Sequence, residues 1–344
     1  MKAPDPAHPE TEGALTVSVC DSLFEPLKPY DHVLVAVSGG LDSTLLLVLL
    51  HEWAQRCGVS APKLSVATVD HALRPASRGE AEGVCGLTAT LALPATVLTW
   101  QGDKPRTGMQ AAAREARYQL LFGHAKTIGA DALAVAHHAD DQSETLLMRL
   151  CAGSGLDGLS GMQARVTRDG VSLVRPLLGI GKQQLLATAR IKGLDWVDDP
   201  SNCDDKFTRV RFRKARDVLA DAGLDALRLG RLSQRMARAQ DALEQMTDRC
   251  WQDVVLVDTD EIILSERLFD APDEIRIRLV MRACAKLVPD APQRLERFET
   301  LLARLNENVG QGGSLNSSVA GCLVRMRQGQ LRVTREPPRN RGRD

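Results

Sequence analysis

Short apolar runs alternate with longer helix-compatible stretches through the first half of the chain, and this alternation constrains the fold more than any other feature. Four of these runs, at 32–37, 64–69, 95–100 and 131–136, have the length and composition of strands buried on both faces. Strands that alternate with helices form right-handed βαβ units. The sequence therefore predicts an α/β domain built on a parallel sheet that helices cover on both faces.

The alternation stops near residue 223, where the pattern becomes helical, with two short strands near the end, at 319–327 and 330–335. A chain of 344 residues is also longer than a single core usually needs. The ends of the chain are polar and rich in proline or arginine. We predict a disordered leader over 1–14, an α/β domain over 15–222, a smaller, mainly helical domain over 223–336 and a disordered tail over 337–344.

Composition excludes several classes of protein. The sequence has no apolar run long enough to cross a bilayer and no apolar segment near its start, which predicts a cytoplasmic protein without a membrane partner. Its eight cysteines form no CxxC pair, which argues against a zinc ribbon, an iron–sulfur cluster or a thioredoxin-like site. Net charge is zero and aromatic residues make up 3%, so RNA binding would have to depend on local basic patches.

A glycine-rich loop joins the first predicted strand to the helix after it. Two adjacent glycines let the backbone turn sharply and approach a ligand closely. The helix that follows directs unpaired amides and its positive dipole end at the loop, which favours an anion such as pyrophosphate. An aspartate in such a loop would repel phosphate and is better suited to Mg²⁺. The predicted ATP-binding residues are Ser38, Gly39, Gly40, Leu41, Asp42 and Ser43.

The loop does not match the two commonest nucleotide fingerprints. It lacks the GxxxxGK[ST] pattern of a Walker loop and the GxGxxG pattern of a dinucleotide fold. A tight turn with Asp42 as a helix cap is the plain structural alternative. The strand before the loop and the helix after it favour the phosphate site instead. The pattern SGGxDS resembles the PP-loop ATP-pyrophosphatases, whose fold is the adenine-nucleotide alpha hydrolase-like fold and which cleave ATP between the α- and β-phosphates.

Four further motifs follow in order: DHALR at 70–74, QAAAREARY at 110–118, HHADDQSET at 137–145, and DDPSN at 198–202 with a basic run after it. Together they closely resemble the tRNA(Ile)-lysidine synthetase family, and the matching motifs span about 38–216. One position departs from the family. The basic run often contains Arg-Asn-Arg, whereas this chain has Arg209-Val210-Arg211. The arginines are retained, but Val210 cannot make the contact of the missing asparagine.

The resemblance implies an ATP-dependent ligase that forms a C–N bond. Its expected substrates are ATP, free L-lysine and the isoleucine tRNA with a CAU anticodon, with Mg²⁺ as cofactor and no evident obligate protein partner. The C2 oxygen of cytidine 34 would attack the α-phosphate and release pyrophosphate. The ε-amine of lysine would then attack C2 and release AMP, leaving lysidine.

The resemblance also suggests roles for individual residues. Asp42 and Asp141 are the expected metal ligands, and Arg114 or Arg117 would stabilise charge on the α-phosphate. His137, Asp140 and Glu144 are unranked candidates for the base that deprotonates the amine. The expected catalytic residues are Asp42, Arg114, Arg117, His137 and Asp141. Substrate or tRNA contacts are expected from Asp140, Glu144, Asn202, Arg209 and Arg211.

Each motif also has a plainer explanation. HHADD could be a solvated strand-to-helix loop, and the arginines at 114 and 117 a solvated helix stripe. A tRNA thiolation enzyme shares the SGGxDS loop, but it usually needs paired cysteines. GMP synthetase and argininosuccinate synthetase share the loop without the HHADDQSET motif. A non-enzymatic RNA-binding module would explain the basic run but leave the phosphate loop without a purpose.

Overall fold

A computed structural model describes residues 13–71, 76–102, 104–105, 107–197, 212, 215, 218–309 and 313–337, apart from the side chains at 76–78, 80 and 309. The predicted leader up to residue 12 and the predicted tail from residue 338 lie outside these residues. By its internal contacts the chain divides into two compact units. The first contains Met1–Ala152 and Ser160–Gln234, and the second contains Gly153–Leu159 and Arg235–Asp344.

The first unit is built on a six-stranded sheet in which β1 has two parallel neighbours. The strand order is β3-β2-β1-β4-β6-β5, and only the pairing of β5 with β6 is antiparallel. All strands but β5 therefore end at the same edge of the sheet. The strands are β1 (His32–Ala36), β2 (Lys63–Asp70), β3 (Ala95–Thr99), β4 (Ala132–Ala134), β5 (Arg165–Arg168) and β6 (Val171–Val174).

Helices cover both faces of this sheet. Along β1, Val33 and Val35 pack into the same core as the buried face of α2, whereas Leu34 faces the opposite core, which includes residues of α4. All three side chains are fully buried, as expected for a strand with two covered faces. The predicted parallel α/β fold is confirmed. The helices of the first unit are α1 (Val17–Phe24), α2 (Leu41–Cys57), α3 (Ala76–Thr90), α4 (Met109–Thr127), α5 (Ala139–Cys151) and α7 (Lys182–Ile191), whereas the short α6 (Leu156–Leu159) belongs to the second unit.

The second unit contains long helices and a five-stranded antiparallel sheet. The strand order is β7-β8-β11-β10-β9, and a separate hydrophobic core lies between this sheet and the helices. The helices are α8 (Ala226–Val254), which begins in the first unit, α9 (Asp273–Leu287) and α10 (Leu295–Val309). The strands are β7 (Val255–Asp258), β8 (Glu261–Leu264), β9 (Leu315–Val319), β10 (Cys322–Arg327) and β11 (Gln330–Arg335).

The sequence analysis identified two strands of this second sheet and missed β7, β8 and β9. Strands β7 and β8 are four residues long, and β7 follows α8 without a glycine or proline between them. A run of four residues is too short to separate a strand period from a helix period. The described contacts also divide the chain within α8, after Gln234, rather than before this helix.

No helix in the described part of the chain is both long and apolar enough to span a membrane. The seven described cysteines are free thiols, and Cys203 lies outside the described residues.

The central position of β1 generates a stability prediction. Replacing Leu34, which is 0% exposed, with alanine should lower the free energy of unfolding by about 3 kcal/mol, because a cavity would remain between β1 and its helical cover. Val97→Ala on β3 is the control, because Val97 is 42% exposed and should cost less than about 1 kcal/mol. Urea titration followed by tryptophan fluorescence would measure both. Equal, small losses would contradict the predicted burial of β1.

Candidate active site

The loop between β1 and α2 has the backbone geometry of an anion site. Gly39 has φ +81°, a left-handed conformation that disfavours any residue with a Cβ. Gly40 is the N-cap of α2, and among the described residues no side chain caps this helix end. The first amides of α2 are therefore directed at the loop without a side-chain acceptor, as phosphate binding at a helix N-terminus requires.

Two serines fix the shape of this loop. The hydroxyl of Ser43 accepts a hydrogen bond from the Ser38 amide at 3.0 Å and donates one to the Gly40 carbonyl at 3.1 Å. The two serine hydroxyls also lie 3.1 Å apart. On the other side, the Gly39 carbonyl accepts from the amide of Val197 at 3.0 Å. The loop is thus held in a turn by hydrogen bonds within this chain before any ligand binds.

Asp42, in the first turn of α2, binds two basic side chains that come from distant parts of the sequence. Nζ of Lys182 donates to both carboxylate oxygens, at 2.7 and 2.9 Å. Nε2 of His138 lies 3.5 Å from Oδ2 of the same carboxylate. Burial alone would raise the pKa of Asp42, but His138 and Lys182 outweigh it and lower this pKa below its usual value. Asp42 is therefore ionised at neutral pH.

His138 is buried, with 7% of its surface exposed, and lies among three carboxylates. Burial lowers the pKa of its ring, but Asp140, Asp42 and Asp141 together raise it to about 10. The amide of Asp140 donates to Nδ1 of His138 at 3.3 Å, and Oδ2 of Asp140 lies 3.5 Å from the same nitrogen.

Asp140 and Asp141 lie in the first turn of α5 and bind different partners. Oδ2 of Asp140 accepts a hydrogen bond from the backbone amide of Lys182 at 2.9 Å and so caps the start of α7. Oδ2 of Asp141 accepts from the amide of His138 at 3.1 Å and lies 3.5 Å from Nε2 of that ring. The loops that follow β1 and β4 are thus joined to the N-terminus of α7 by charged hydrogen bonds.

These side chains line a cavity of about 470 Å³ within the first unit, a volume typical of a small-molecule site. Most of its polar lining is charged, and Glu144 contributes a carboxylate although only 6% of the residue is exposed. Apolar side chains complete the lining. The polar residues are Asp42, His138, Asp140, Asp141, Ser143, Glu144 and Lys182, and the apolar ones are Leu147, Phe212, Leu219, Leu224, Ala226 and Leu229.

The carboxylates of this cavity suit a magnesium ion bound together with a nucleotide. Asp42 and Asp141 each approach the same nitrogen, Nε2 of His138, from their own helix, so their oxygens converge. Within the described residues no group of three or more metal-ligating side chains is arranged to hold an ion unaided. Mg²⁺ commonly binds through one or two carboxylates, with waters and substrate phosphates completing its shell. The residues present fit such an ion.

A second, basic cluster follows the ends of neighbouring strands in the same unit. Nε of Arg175, just past β6, donates to Nδ1 of His137 at 3.3 Å, which fixes His137 as an acceptor on that side. The guanidinium groups of Arg114 and Arg117 on α4 lie 5.3 and 5.4 Å from the centre of the Tyr118 ring. His137, Arg114 and Arg117 are not among the described residues that line the cavity.

The pKa values of this cluster reflect its crowded positive charge. Burial lowers the pKa of Arg175, and the nearby charge of Arg114 lowers it further, although Tyr118 opposes both effects. Burial likewise lowers the pKa of His71, just past β2, and the charge of Arg117 adds to this effect. The DHALR, QAAAREARY and HHADDQSET motifs therefore meet in space, as their positions at strand ends imply.

The sequence analysis missed Lys182 and Arg175. Arg175 directly follows β6, and Lys182 is the first residue of α7, so both occupy the strand-end and helix-start positions that bind ligands in parallel sheets. The signal that could have identified them is this position, directly after a strand or at the start of a helix. Asn202, Arg209 and Arg211 lie outside the described residues, so their predicted contacts stay predictions.

Comparison with known proteins agrees with this geometry. The PP-loop domain family matches residues 16–218, the part of the chain that contains the sheet and the cavity. Among solved structures, the U34-tRNA thiolase NcsA from Methanococcus maripaludis with its [4Fe-4S] cluster is similar with a TM-score of 0.55. The alignment covers 64% of this chain and 78% of the thiolase at 16% identity, a similarity of fold alone.

Curated relatives identify the family more closely. A tRNA(Ile)-lysidine synthase of Bradyrhizobium diazoefficiens is 42% identical over 93% of this chain and 94% of its own length. Another, from Rhodopseudomonas palustris, is 41% identical over 96% of this chain and 97% of its own length. At such identities over nearly the whole length of both partners, the chain belongs to the tRNA(Ile)-lysidine synthase family.

Proposed function

We propose that this chain joins free L-lysine to C2 of the wobble cytidine 34 in the CAU-anticodon isoleucine tRNA, with ATP as the second substrate. The proposal depends most on one observation, the acidic cavity formed by Asp42, Asp141 and Glu144 beside the loop at Ser38–Ser43. An anion-binding loop next to paired carboxylates suits a nucleotide that binds with a cation. The names of the family relatives support the isoleucine tRNA as the acceptor.

The reaction proceeds in two steps. In the first, the C2 oxygen of cytosine attacks the α-phosphorus of ATP, a P–O bond forms, and pyrophosphate leaves. In the second, the lysine ε-amine attacks C2 and loses a proton, and the C2–O bond breaks so that AMP departs with that oxygen. The cytosine must be unstacked from the anticodon loop to reach either reactant.

The phosphate loop accounts for the first step. Amides at the N-terminus of α2, together with the serine-held turn, bind the phosphates and stabilise the charge that moves onto pyrophosphate. Bound Mg²⁺, held by Asp42 and Asp141, would neutralise part of that charge. Arg114 or Arg117 supplies a cation for the α-phosphate. The cluster with Arg175 and His137 keeps positive charge in this unit near the strand ends.

The second step needs an acceptor for the amine proton and a site for a cationic amino acid. Among the described residues, Asp140 and Glu144 line the cavity and His137 does not. Glu144 is a buried carboxylate there, and Asp140 accepts a hydrogen bond from the amide of Lys182. We therefore favour these two carboxylates over His137 as the base and as contacts for the lysine ammonium.

The remaining roles concern tRNA. The basic run that includes Arg209 and Arg211 is proposed to bind phosphates, with Asn202 contacting substrate, and the second unit is proposed to hold tRNA away from the chemistry. We propose that the protein acts on this tRNA in the cytoplasm. The thiolase alternative shares the fold, but this sequence lacks the paired cysteines expected of such an enzyme.

A direct assay tests the proposed function. The protein is incubated with ATP, lysine and total tRNA, and nucleosides of the digested tRNA are analysed by mass spectrometry. We expect a cytidine that has gained lysine with loss of water, and AMP and pyrophosphate in equal amounts, only when tRNA and lysine are both present. Transfer of sulfur in place of lysine, or turnover with a free nucleotide acceptor, would reject the proposal.

A substitution of Asp42 can distinguish an effect on the reaction from an effect on tRNA binding. Asp42→Asn keeps the shape of the side chain but removes its charge, so kcat/KM should fall by about 10³-fold or more while tRNA affinity stays nearly unchanged. Asp21→Asn is the matched control, because Asp21 also pairs with a basic side chain, Arg56, but at an exposed position. Equal losses of tRNA binding and activity in Asp42→Asn would count against a role in the chemistry.

If the basic run binds phosphates, the affinity for tRNA should depend on salt concentration through Arg209 and Arg211. The double variant Arg209→Gln and Arg211→Gln should weaken tRNA binding and reduce the slope of log affinity against log salt concentration by about 1 to 2. Filter binding over a series of salt concentrations measures both quantities. A weaker affinity with the original slope would show that these arginines do not contact phosphates.

A further inference from the structure

Lys182 stands out among the cavity residues because it binds the key carboxylate as a metal ion would. Its Nζ donates to both oxygens of Asp42, at 2.7 and 2.9 Å, and its side chain is 32% exposed. The backbone of the same residue is fixed by the bond from its amide to Asp140 at 2.9 Å. The main chain is thus anchored while the amino group faces the cavity.

The charges around the cavity explain why a cation is held there. Four carboxylates line the cavity, those of Asp42, Asp140, Asp141 and Glu144. Carboxylates gathered in a partly buried site are costly unless a cation lies against them. The amino group of Lys182 provides such a cation by direct contact with Asp42. This amino group and a divalent ion on Asp42 would compete for the same oxygens.

The phosphate loop lies within reach of the same amino group. Asp42 belongs both to that loop and to the first turn of α2, where the helix amides face the anion site. A lysine side chain has four rotatable bonds and three donors, so a small change of rotamer moves its charge from a carboxylate to a nearby phosphate oxygen.

We propose that Lys182 is a placeholder cation, which holds Asp42 before the substrates bind and moves to a phosphate oxygen of ATP when Mg²⁺ takes its place on Asp42. The inference rests on the proposed function only in requiring that ATP binds at this loop. It gives Lys182 two measurable effects of opposite sign. Lys182 opposes the binding of a divalent ion alone and favours the binding of the nucleotide.

The chain contains a matched control for this lysine. Lys192 lies just past the C-terminus of α7, and its Nζ donates to both oxygens of Glu52 on α2, at 2.6 and 2.8 Å. The pair joins the same two helices with the same geometry but is not among the described residues lining the cavity. A purely structural salt bridge should behave in the same way at both positions.

The test measures binding rather than turnover, on the full chain without tRNA or lysine. Mn²⁺ alone is titrated by electron paramagnetic resonance, and a nonhydrolysable ATP with a methylene group between the α- and β-phosphates is titrated by calorimetry in the presence of Mg²⁺. For Lys182→Gln we expect Mn²⁺ affinity to rise several-fold and nucleotide affinity to fall by about 10- to 100-fold. For Lys192→Gln we expect neither affinity to change.

The remaining outcomes discriminate between the hypotheses. If both affinities fall in Lys182→Gln, or if neither changes, the placeholder role is refuted. Lys182→Arg keeps the positive charge, so it should bind the nucleotide more tightly than Lys182→Gln does. A folded Arg variant that loses nucleotide binding also overturns the proposal, and this second variant serves if the Gln variant does not fold.

Failure of the proposed function would look different. A chain that shows the opposite shifts of Mn²⁺ and nucleotide affinity but does not modify tRNA would refute the tRNA substrate and leave the role of Lys182 intact. A wild-type chain that binds no ATP analogue would refute both.

Discussion

The site depends on the contacts of the Asp42 carboxylate, because they join parts of the chain that are far apart in sequence. This carboxylate lies at the start of α2, accepts from Lys182 at the start of α7, and faces His138 at the start of α5. Asp140 closes the ring by accepting from the Lys182 amide and facing His138. Three helix N-termini, each with a positive dipole end, are thereby held around shared negative charge.

The parallel sheet makes this ring possible. Strands β1, β4 and β6 are neighbours, and their carboxyl ends lie at one edge, so the segments that leave them begin next to each other. Each segment then starts a helix over the sheet, and each helix directs its first amides towards that edge. The fold therefore brings anion-binding amides and capping carboxylates together by topology, and the side chains decide which ligand they select.

Local patterns in the sequence were enough to predict the features whose residues are close together in the chain. The turn at Gly39, the strand before it and the helix after it lie within a short segment, and the paired aspartates of α5 follow directly from their strand. The pairing of Lys182 with Asp42 joins residues 140 positions apart, and no local pattern predicts which cation meets which carboxylate. From the sequence we expected Asp42, Asp141, Arg114 and Arg117 to form one active site. In the structure the two aspartates line the acidic cavity, whereas the two arginines lie in a basic cluster around Tyr118.

This division of charge matches the demands of a reaction that handles an anion and a cation in turn. The phosphates of ATP need positive charge, which the helix ends, Lys182 and the arginines provide, whereas the amino group of lysine needs carboxylates. A site of uniformly positive charge would repel the lysine, and one of uniformly negative charge would repel the nucleotide. A cation that can change partners resolves this conflict. Lys182 neutralises Asp42 when no metal is bound, and it neutralises a phosphate of ATP when Mg²⁺ is bound to Asp42. The same amino group then serves both states of the site without any change in the backbone that anchors it.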